Sequence, residues 1–86
     1  MASAIVLINV EIGQEEEAFK MLKELPEVEQ VYMVYGVYDL VVKLDTDDMA
    51  KLKEVIADKI RRMPPIRSTL TMMIVEGFRK FEETEE

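Results

Sequence analysis

The order of strand-like and helix-like segments is the feature that most restricts the fold of this chain. Runs rich in β-branched and aromatic residues predict four strands, at residues 4–12, 28–35, 38–44 and 68–75. Apolar residues recur at helical spacing in residues 14–25 and 47–63. The order βαββαβ with short connections predicts an α+β fold, a ferredoxin-like sandwich whose four-stranded antiparallel sheet carries both helices on one face.

Residues that interrupt regular structure separate these segments. Pro26 stops the first helix, and the Pro64-Pro65 pair stops the second. Thr46 or Asp47 is the expected N-cap of the second helix. Gly36 lies between two β-rich runs and predicts a hairpin, in which a positive φ angle would be its structural role.

Both faces of the predicted sheet are rich in apolar residues. With Gly36 and Val37 as the hairpin turn, Met33 pairs with Leu40. The opposite face then carries five side chains of mixed character: Tyr32, Val34, Asp39, Val41 and Lys43. Two helices cover one face, and an antiparallel sheet with a solvated second face should alternate between apolar and polar residues. We therefore predict that a second copy covers this face, forming a homodimeric α+β barrel.

Composition excludes several function classes. The 86 residues correspond to one domain, predicted at residues 1–76, followed by an acidic tail at residues 77–86. The net charge of −7 disfavours direct binding of nucleic acid. The chain has no Cys and no His, and no apolar run reaches the roughly 18 residues that span a membrane. We expect a cytoplasmic protein without a cofactor; the cluster Asp45, Asp47 and Asp48 lacks the pattern of a calcium loop and suits helix capping.

Two segments resemble the C-terminal domain of the Lrp/AsnC regulators. Residues 31–43 (VYMVYGVYDLVVK) resemble that family's hairpin pattern v-tG-yD-llkv. Residues 60–75 (IRRMPPIRSTLTMMIV) resemble its final strand pattern i-lpGV-r-tT-ivl. The two segments have the spacing of the family, and the resemblance extends over residues 4–76.

This resemblance implies an effector-binding domain, also called RAM, with a regulatory role in transcription or amino-acid metabolism. Family members form dimers through their sheets, and the dimers assemble further, often into octamers. Amino-acid effectors bind between dimers near the hairpin. Carried over by position, the ligand-binding residues are Gly36, Tyr38, Asp39, Arg67, Thr69 and Thr71.

The chain departs from the family pattern in two ways. Pro65 replaces the usual glycine of the pGV motif, which would stiffen the loop before the last strand. Three residues precede the first predicted strand, where full-length members have a helix-turn-helix domain. We therefore expect a stand-alone form without its own DNA-binding domain, with full-length Lrp/AsnC regulators as candidate partners.

Several of these residues also have a purely structural interpretation. Asp39 can accept hydrogen bonds from backbone amides or pair with an arginine, instead of receiving a ligand ammonium group. Thr69 and Thr71 can serve as interface packing. Arg61, Arg62 and Arg67 form a basic cluster near a helix C-terminus, where cations are favoured without any anion to bind.

Two other functions share this element order. An ACT-like amino-acid-binding regulatory subunit would place a ligand loop after the first strand, where Gly13 lies. A small dimeric α+β barrel enzyme would need a catalytic group, and the candidates reduce to Asp39, Asn9 and the tyrosines. We therefore expect a binding module without catalytic activity.

Overall fold

The computed structural model describes residues 1–78 and residue 80. It contains β1 (Ala2–Val10), α1 (Glu15–Lys23), β2 (Val28–Met33), β3 (Leu40–Thr46), α2 (Met49–Glu54), a π-helical segment (Val55–Ile60) that continues α2, and β4 (Ile66–Met73). The predicted order βαββαβ is confirmed. Residue 79 and residues 81–86 lie outside the described part, so the acidic tail at residues 77–86 stays a prediction.

The four strands form one antiparallel sheet in the order β2-β3-β1-β4. The central strand β1 pairs with β3 from Ala2 to Ile8 and with β4 from Ala4 to Val10. Its pairing register with β4 shifts between Asn9 and Val10. The ferredoxin-like topology predicted from the sequence is confirmed.

The core lies between one face of this sheet and the helices. Alternate residues of β1 and β3 point into it, and the helical residues complete it. Completely buried side chains are Ala4, Val6, Ile8, Ala18, Leu22, Leu40, Val42, Leu44, Leu52, Val55 and Ile60. At about 25 cal/mol per Å² of apolar surface removed from water, this cluster is the main stabilising contribution to the fold.

The β2–β3 hairpin has the predicted register. Met33 pairs with Leu40 and Val31 with Val42. The backbone N–H of Val34 donates to the carbonyl of Asp39 at 2.9 Å, and Gly36 adopts a φ angle of +146°. The predicted positive φ angle of Gly36 is confirmed, although the regular strands end at Met33 and Leu40, so the connection is longer than a two-residue turn.

The start of the second helix differs from the prediction by one residue or two. Asp48, not Thr46 or Asp47, is the N-cap, and its Oδ1 accepts the backbone N–H of Lys51 at 2.8 Å. Thr46 is instead the last residue of β3, where it is buried opposite Ala2. The sheet therefore extends further than the sequence pattern suggested, and the helix begins later.

None of the helices in residues 1–78 has the length and apolar character needed to cross a membrane.

Glu27, the residue before β2, forms ion pairs with the second helical region. Its Oε2 lies 3.2 Å from Nζ of Lys59 and 3.9 Å from Nζ of Lys51, and its side chain is 12% exposed. Burial by itself would raise the pKa of Glu27, but its own backbone amide, Lys59 and Lys51 together lower the pKa below the ordinary value. The folded state therefore favours the ionised carboxylate.

We predict that Glu27→Gln destabilises the protein at pH 7 by about 1 kcal/mol, because it removes the charge that pairs with both lysines. The effect is small because both lysines are partly exposed and the solvent screens the interaction. A lowered folded-state pKa contributes stability above the unfolded-state pKa, and this contribution is lost as the pH falls through the folded-state value. Urea unfolding of the variant and the wild type should therefore converge in acid. Glu24→Gln, at an exposed position, serves as control. A stability difference independent of pH would contradict the assignment.

Candidate functional site

The tip of the β2–β3 hairpin projects from the domain. Tyr35 is fully exposed and Val37 is 83% exposed, with Gly36 between them. A β-carbon built on Gly36 would meet no atom within 4 Å, so the positive φ angle, and not a lack of space, favours glycine there. Tyr38 is half-buried next to Asp39.

Asp39 connects the hairpin to the end of β1. Its Oδ2 accepts the backbone N–H of Val10 at 2.9 Å, and its own N–H donates to the carbonyl of Ile8 at 2.9 Å. Val10 lies at the register shift of β1, where the ladder does not satisfy every amide. The structural interpretation of Asp39 is therefore correct. A carboxylate has about four acceptor positions, so this bond leaves capacity for a ligand donor.

A groove of about 270 Å³ runs between this hairpin and the first turn of α1. Its lining consists of Met33, Val34 and Tyr35 on the apolar side and Glu15, Glu16 and Asp39 on the acidic side. Glu15 and Glu16 are not among the site residues predicted from the sequence. Acidic residues in a first helical turn are common for reasons of the helix dipole, so they carried no distinguishing signal.

The β4 residues of the predicted site lie elsewhere. Thr69 is paired with Ile8 and Thr71 with Val6, which places both threonines on the helix-covered face of the sheet. This position contradicts their interpretation as packing in a sheet-to-sheet interface. Arg61 Nε donates to Thr69 Oγ1 at 3.0 Å, and Arg67 Nε lies 4.0 Å from the carboxylate of Glu11.

The two groups of predicted site residues therefore line different cavities of one protomer. Asp39 lines the hairpin groove, whereas Arg67 and Thr69 line a cavity of about 290 Å³ next to β4. Both groups lie at the same end of the sheet, separated by β1. With strands about 4.8 Å apart, the start of β3 and the start of β4 are roughly 10 Å apart.

The sheet face turned away from the helices is largely apolar. Its apolar side chains come from all four strands: Ile5, Leu7, Tyr32, Val41, Leu70 and Met72. Tyr32, Leu70 and Met72 are 53%, 47% and 45% exposed. A surface of this kind on a small domain is typical of a protein–protein interface. We refer to it below as the open face.

One corner of the open face is charged. Nζ of Lys43 lies 2.5 Å from Oε1 of Glu29 and 3.6 Å from Oδ2 of Asp45. The other oxygen of Asp45, Oδ1, accepts a hydrogen bond from the hydroxyl of Ser3. The hydrogen bond with Glu29, supported by Asp45, raises the pKa of Lys43 in spite of its partial burial. Asp45 thus belongs to this network and Asp48 to a helix cap, and no group of three metal-ligating side chains occurs within residues 1–78 and 80.

Comparison with known proteins identifies the domain. The family model described as the Lrp/AsnC ligand binding domain matches residues 3–83. The chain belongs to the Lrp/AsnC family. The family resemblance inferred from the hairpin and from the last strand is confirmed, and the match extends over nearly the whole sequence. No curated protein matches the chain.

Several solved structures share the fold of this chain. FFRP-DM1 is 43% identical with a TM-score of 0.85, over 87% of this chain and 100% of its own. The hypothetical protein PHS023 from Pyrococcus horikoshii is 38% identical with a TM-score of 0.84, over 96% and 100%. The transcriptional regulator NMB0573 from Neisseria meningitidis, in complex with L-Met, is 13% identical with a TM-score of 0.84. This match covers 98% of the present chain and 56% of that regulator.

We predict that removal of the Asp39 carboxylate destabilises this Lrp/AsnC domain. Asp39→Ala leaves the Val10 amide without its acceptor and should cost about 1–2 kcal/mol, whereas Asp39→Asn keeps an acceptor oxygen and should cost less. Urea unfolding at one fixed protein concentration measures both values, with Asp58→Ala at an exposed helical position as control. Equal stability of the wild type and Asp39→Ala would contradict the structural role.

Proposed function

We propose that this chain is a small-molecule effector-binding and oligomerisation module with a regulatory role in transcription or amino-acid metabolism. The observation that carries the proposal is the match of residues 3–83 to the Lrp/AsnC ligand binding domain. The effector is an amino acid or a similar small molecule. The module acts in the cytoplasm, without catalysis and without direct contact with nucleic acid or membrane.

The composition of the hairpin groove supports an amino-acid effector. Glu15, Glu16 and Asp39 are suited to an ammonium group, and Met33 and Val34 provide an apolar surface for a side chain. A regulator of the same fold was solved with L-Met, an amino acid with these two features. Gly36 forms the hairpin turn and Tyr38 directly precedes Asp39, so both residues help to position Asp39 in the site.

The complete site requires more than one copy of the chain. Because the hairpin residues and the group Arg67, Thr69 and Thr71 line different cavities, we propose that an effector contacts the hairpin of one copy and β4 of another. Interfaces that join different surfaces of identical chains close into rings when the rotation allows it. The assembly that we propose, on the family resemblance, is an octamer or a similar ring of dimers, with full-length Lrp/AsnC regulators as candidate partners.

The dimer itself forms through the open face. Ile5, Leu7, Val41 and Leu70 form the centre of this face, and a second copy is the occupant whose surface has the same apolar character. A domain of this size buries roughly 60% of its unfolded surface, a smaller fraction than a larger domain does, so dimerisation adds stability as well as an interface. In the dimer, the charged network around Lys43 would fix the relative orientation of the two sheets.

We predict that Leu70→Glu dissociates the dimer while the domain remains folded, because the new carboxylate would be desolvated in an apolar interface. Light scattering or analytical ultracentrifugation should show a loss of mass, and circular dichroism should stay unchanged. Ala50→Glu introduces the same charge on an exposed helical position and should leave the mass unaltered. If Leu70→Glu keeps the wild-type mass, the open face is not the dimer interface.

A thermal-shift screen of the twenty amino acids tests effector binding. A ligand at 100 times its Kd should stabilise the folded protein by about 2.7 kcal/mol. We expect one amino acid or a small group of them to stabilise the wild type, and Asp39→Asn to weaken that binding at least about tenfold, since an amide replaces the charge opposite the ammonium. Gly36→Trp should block the site at the hairpin tip.

Asp58→Asn removes an exposed carboxylate remote from the groove and should bind like the wild type. Because Asp39→Asn retains an acceptor for Val10, its loss of binding can be distinguished from unfolding. Normal amino-acid binding by both Asp39→Asn and Gly36→Trp would contradict the assignment of the site to the hairpin.

A further inference from the structure

Arg61 separates two cavities along the free edge of β4. One cavity, of about 290 Å³, is lined by Arg61, Ile66, Arg67, Ser68 and Thr69. The other, of about 200 Å³, is lined by Lys53, Ile56, Ala57, Arg61, Thr71 and Met73. Arg61 therefore lines both cavities, and we refer to the two cavities together as the β4 groove.

The polar groups of the β4 groove are hydrogen-bond donors. Lys53, Arg61 and Arg67 are cationic, and three hydroxyl groups accompany them, on Ser68, Thr69 and Thr71. Glu11, 4.0 Å from Arg67 Nε, is an acidic neighbour, and both of these side chains are more than half exposed. A positive cluster of this kind contrasts with the net charge of −7 and with the acidic hairpin groove.

Thr71 provides a second, independent observation. Its Oγ1 is buried and has no hydrogen-bond partner among the described residues. A buried hydroxyl without a partner is uncommon in folded proteins and calls for an explanation. Thr71 is one of the residues that line the same cavity as Lys53 and Arg61.

The hydrogen bond between Arg61 and Thr69 orients these donors. Arg61 donates through Nε to Thr69 Oγ1. Within residues 1–78 and 80, no hydrogen bond occupies its two terminal nitrogens, which can therefore contact a ligand. Thr69 accepts this bond through oxygen and retains its own proton for donation. The planar fork of a guanidinium group matches two oxygens of a carboxylate or a phosphate.

We propose that the β4 groove is an anion site, with Arg61 as its anchor. The ligand group is an oxyanion, either the carboxylate of an amino acid or free inorganic phosphate. The inference deepens the proposed function, from which it takes Arg67, Thr69 and Thr71, and it adds Arg61 and Lys53 to the site. For an amino-acid effector, the groove binds the carboxylate end and the hairpin of another copy binds the ammonium end.

The test uses two probes that lack an ammonium group, sodium phosphate and N-acetyl-L-methionine, each titrated into the full chain at constant ionic strength. Calorimetry measures the affinity, and ¹⁵N spectra report which amides and which arginine Nε groups shift. We expect saturable shifts in β4 and at Arg61 with at least one probe. The probe that saturates identifies the source of the anion.

Arg61→Gln should weaken this binding at least about tenfold, since it removes both the charge and the fork. Arg61→Lys keeps the charge and should recover part of the affinity. Arg62→Gln is the matched control, because it removes the same charge from an exposed neighbouring residue and should stay within about twofold of the wild type. Absence of saturable binding by both probes, or equal losses in Arg61→Gln and Arg62→Gln, would overturn the proposal.

Failure of the anion site can be distinguished experimentally from failure of the proposed effector binding. Asp39→Asn should lose amino-acid binding and retain the binding of the two anions. Phosphate binding that depends on Arg61, in a protein indifferent to all twenty amino acids, would support the anion site and contradict the effector. Amino-acid binding that depends on Asp39 but not on Arg61 would support the effector and contradict the anion site.

Discussion

The central position of β1 is the constraint on which the rest of this structure depends. The strand pairs with β3 on one side and with β4 on the other, and its residues Ala4, Val6 and Ile8 are completely buried beneath the helices. Because strand side chains alternate between faces, Ile5 and Leu7 must lie on the opposite side of the sheet. Two helices cannot cover both faces, so the strand that completes the core also creates the open apolar face.

The end of β1 also connects the two halves of the candidate site. Val10 contacts the carboxylate of Asp39 on one side and pairs with Ile66 at the start of β4 on the other. A residue proposed to bind an effector therefore takes part in the packing of the sheet end. Val10 thus joins Asp39 to the start of β4 by a short path, which would couple the proposed effector site to the position of β4.

Charge is segregated at this end of the domain. The hairpin groove combines Glu15, Glu16 and Asp39, whereas the β4 groove combines Lys53, Arg61 and Arg67. In a single chain these surfaces are separate cavities. Their opposite charges favour contact between copies, and a ligand that carries both an ammonium and a carboxylate group complements the pair. The assembly and the choice of ligand would then rest on the same charge distribution.

The sequence by itself determined the element order, the two faces of the sheet and the hairpin register of Met33 with Leu40, because strand and helix periodicities are local properties of the chain. Tertiary structure decided the features that depend on distant segments. Pairing with Ala2 holds Thr46 in the sheet and moves the helix cap to Asp48. Packing of the second helical region against the edge strand brings Arg61 to Thr69, and the return of the hairpin over α1 brings Glu15 to Asp39. No local pattern encodes these contacts, since each arises when segments distant in sequence bury a shared surface.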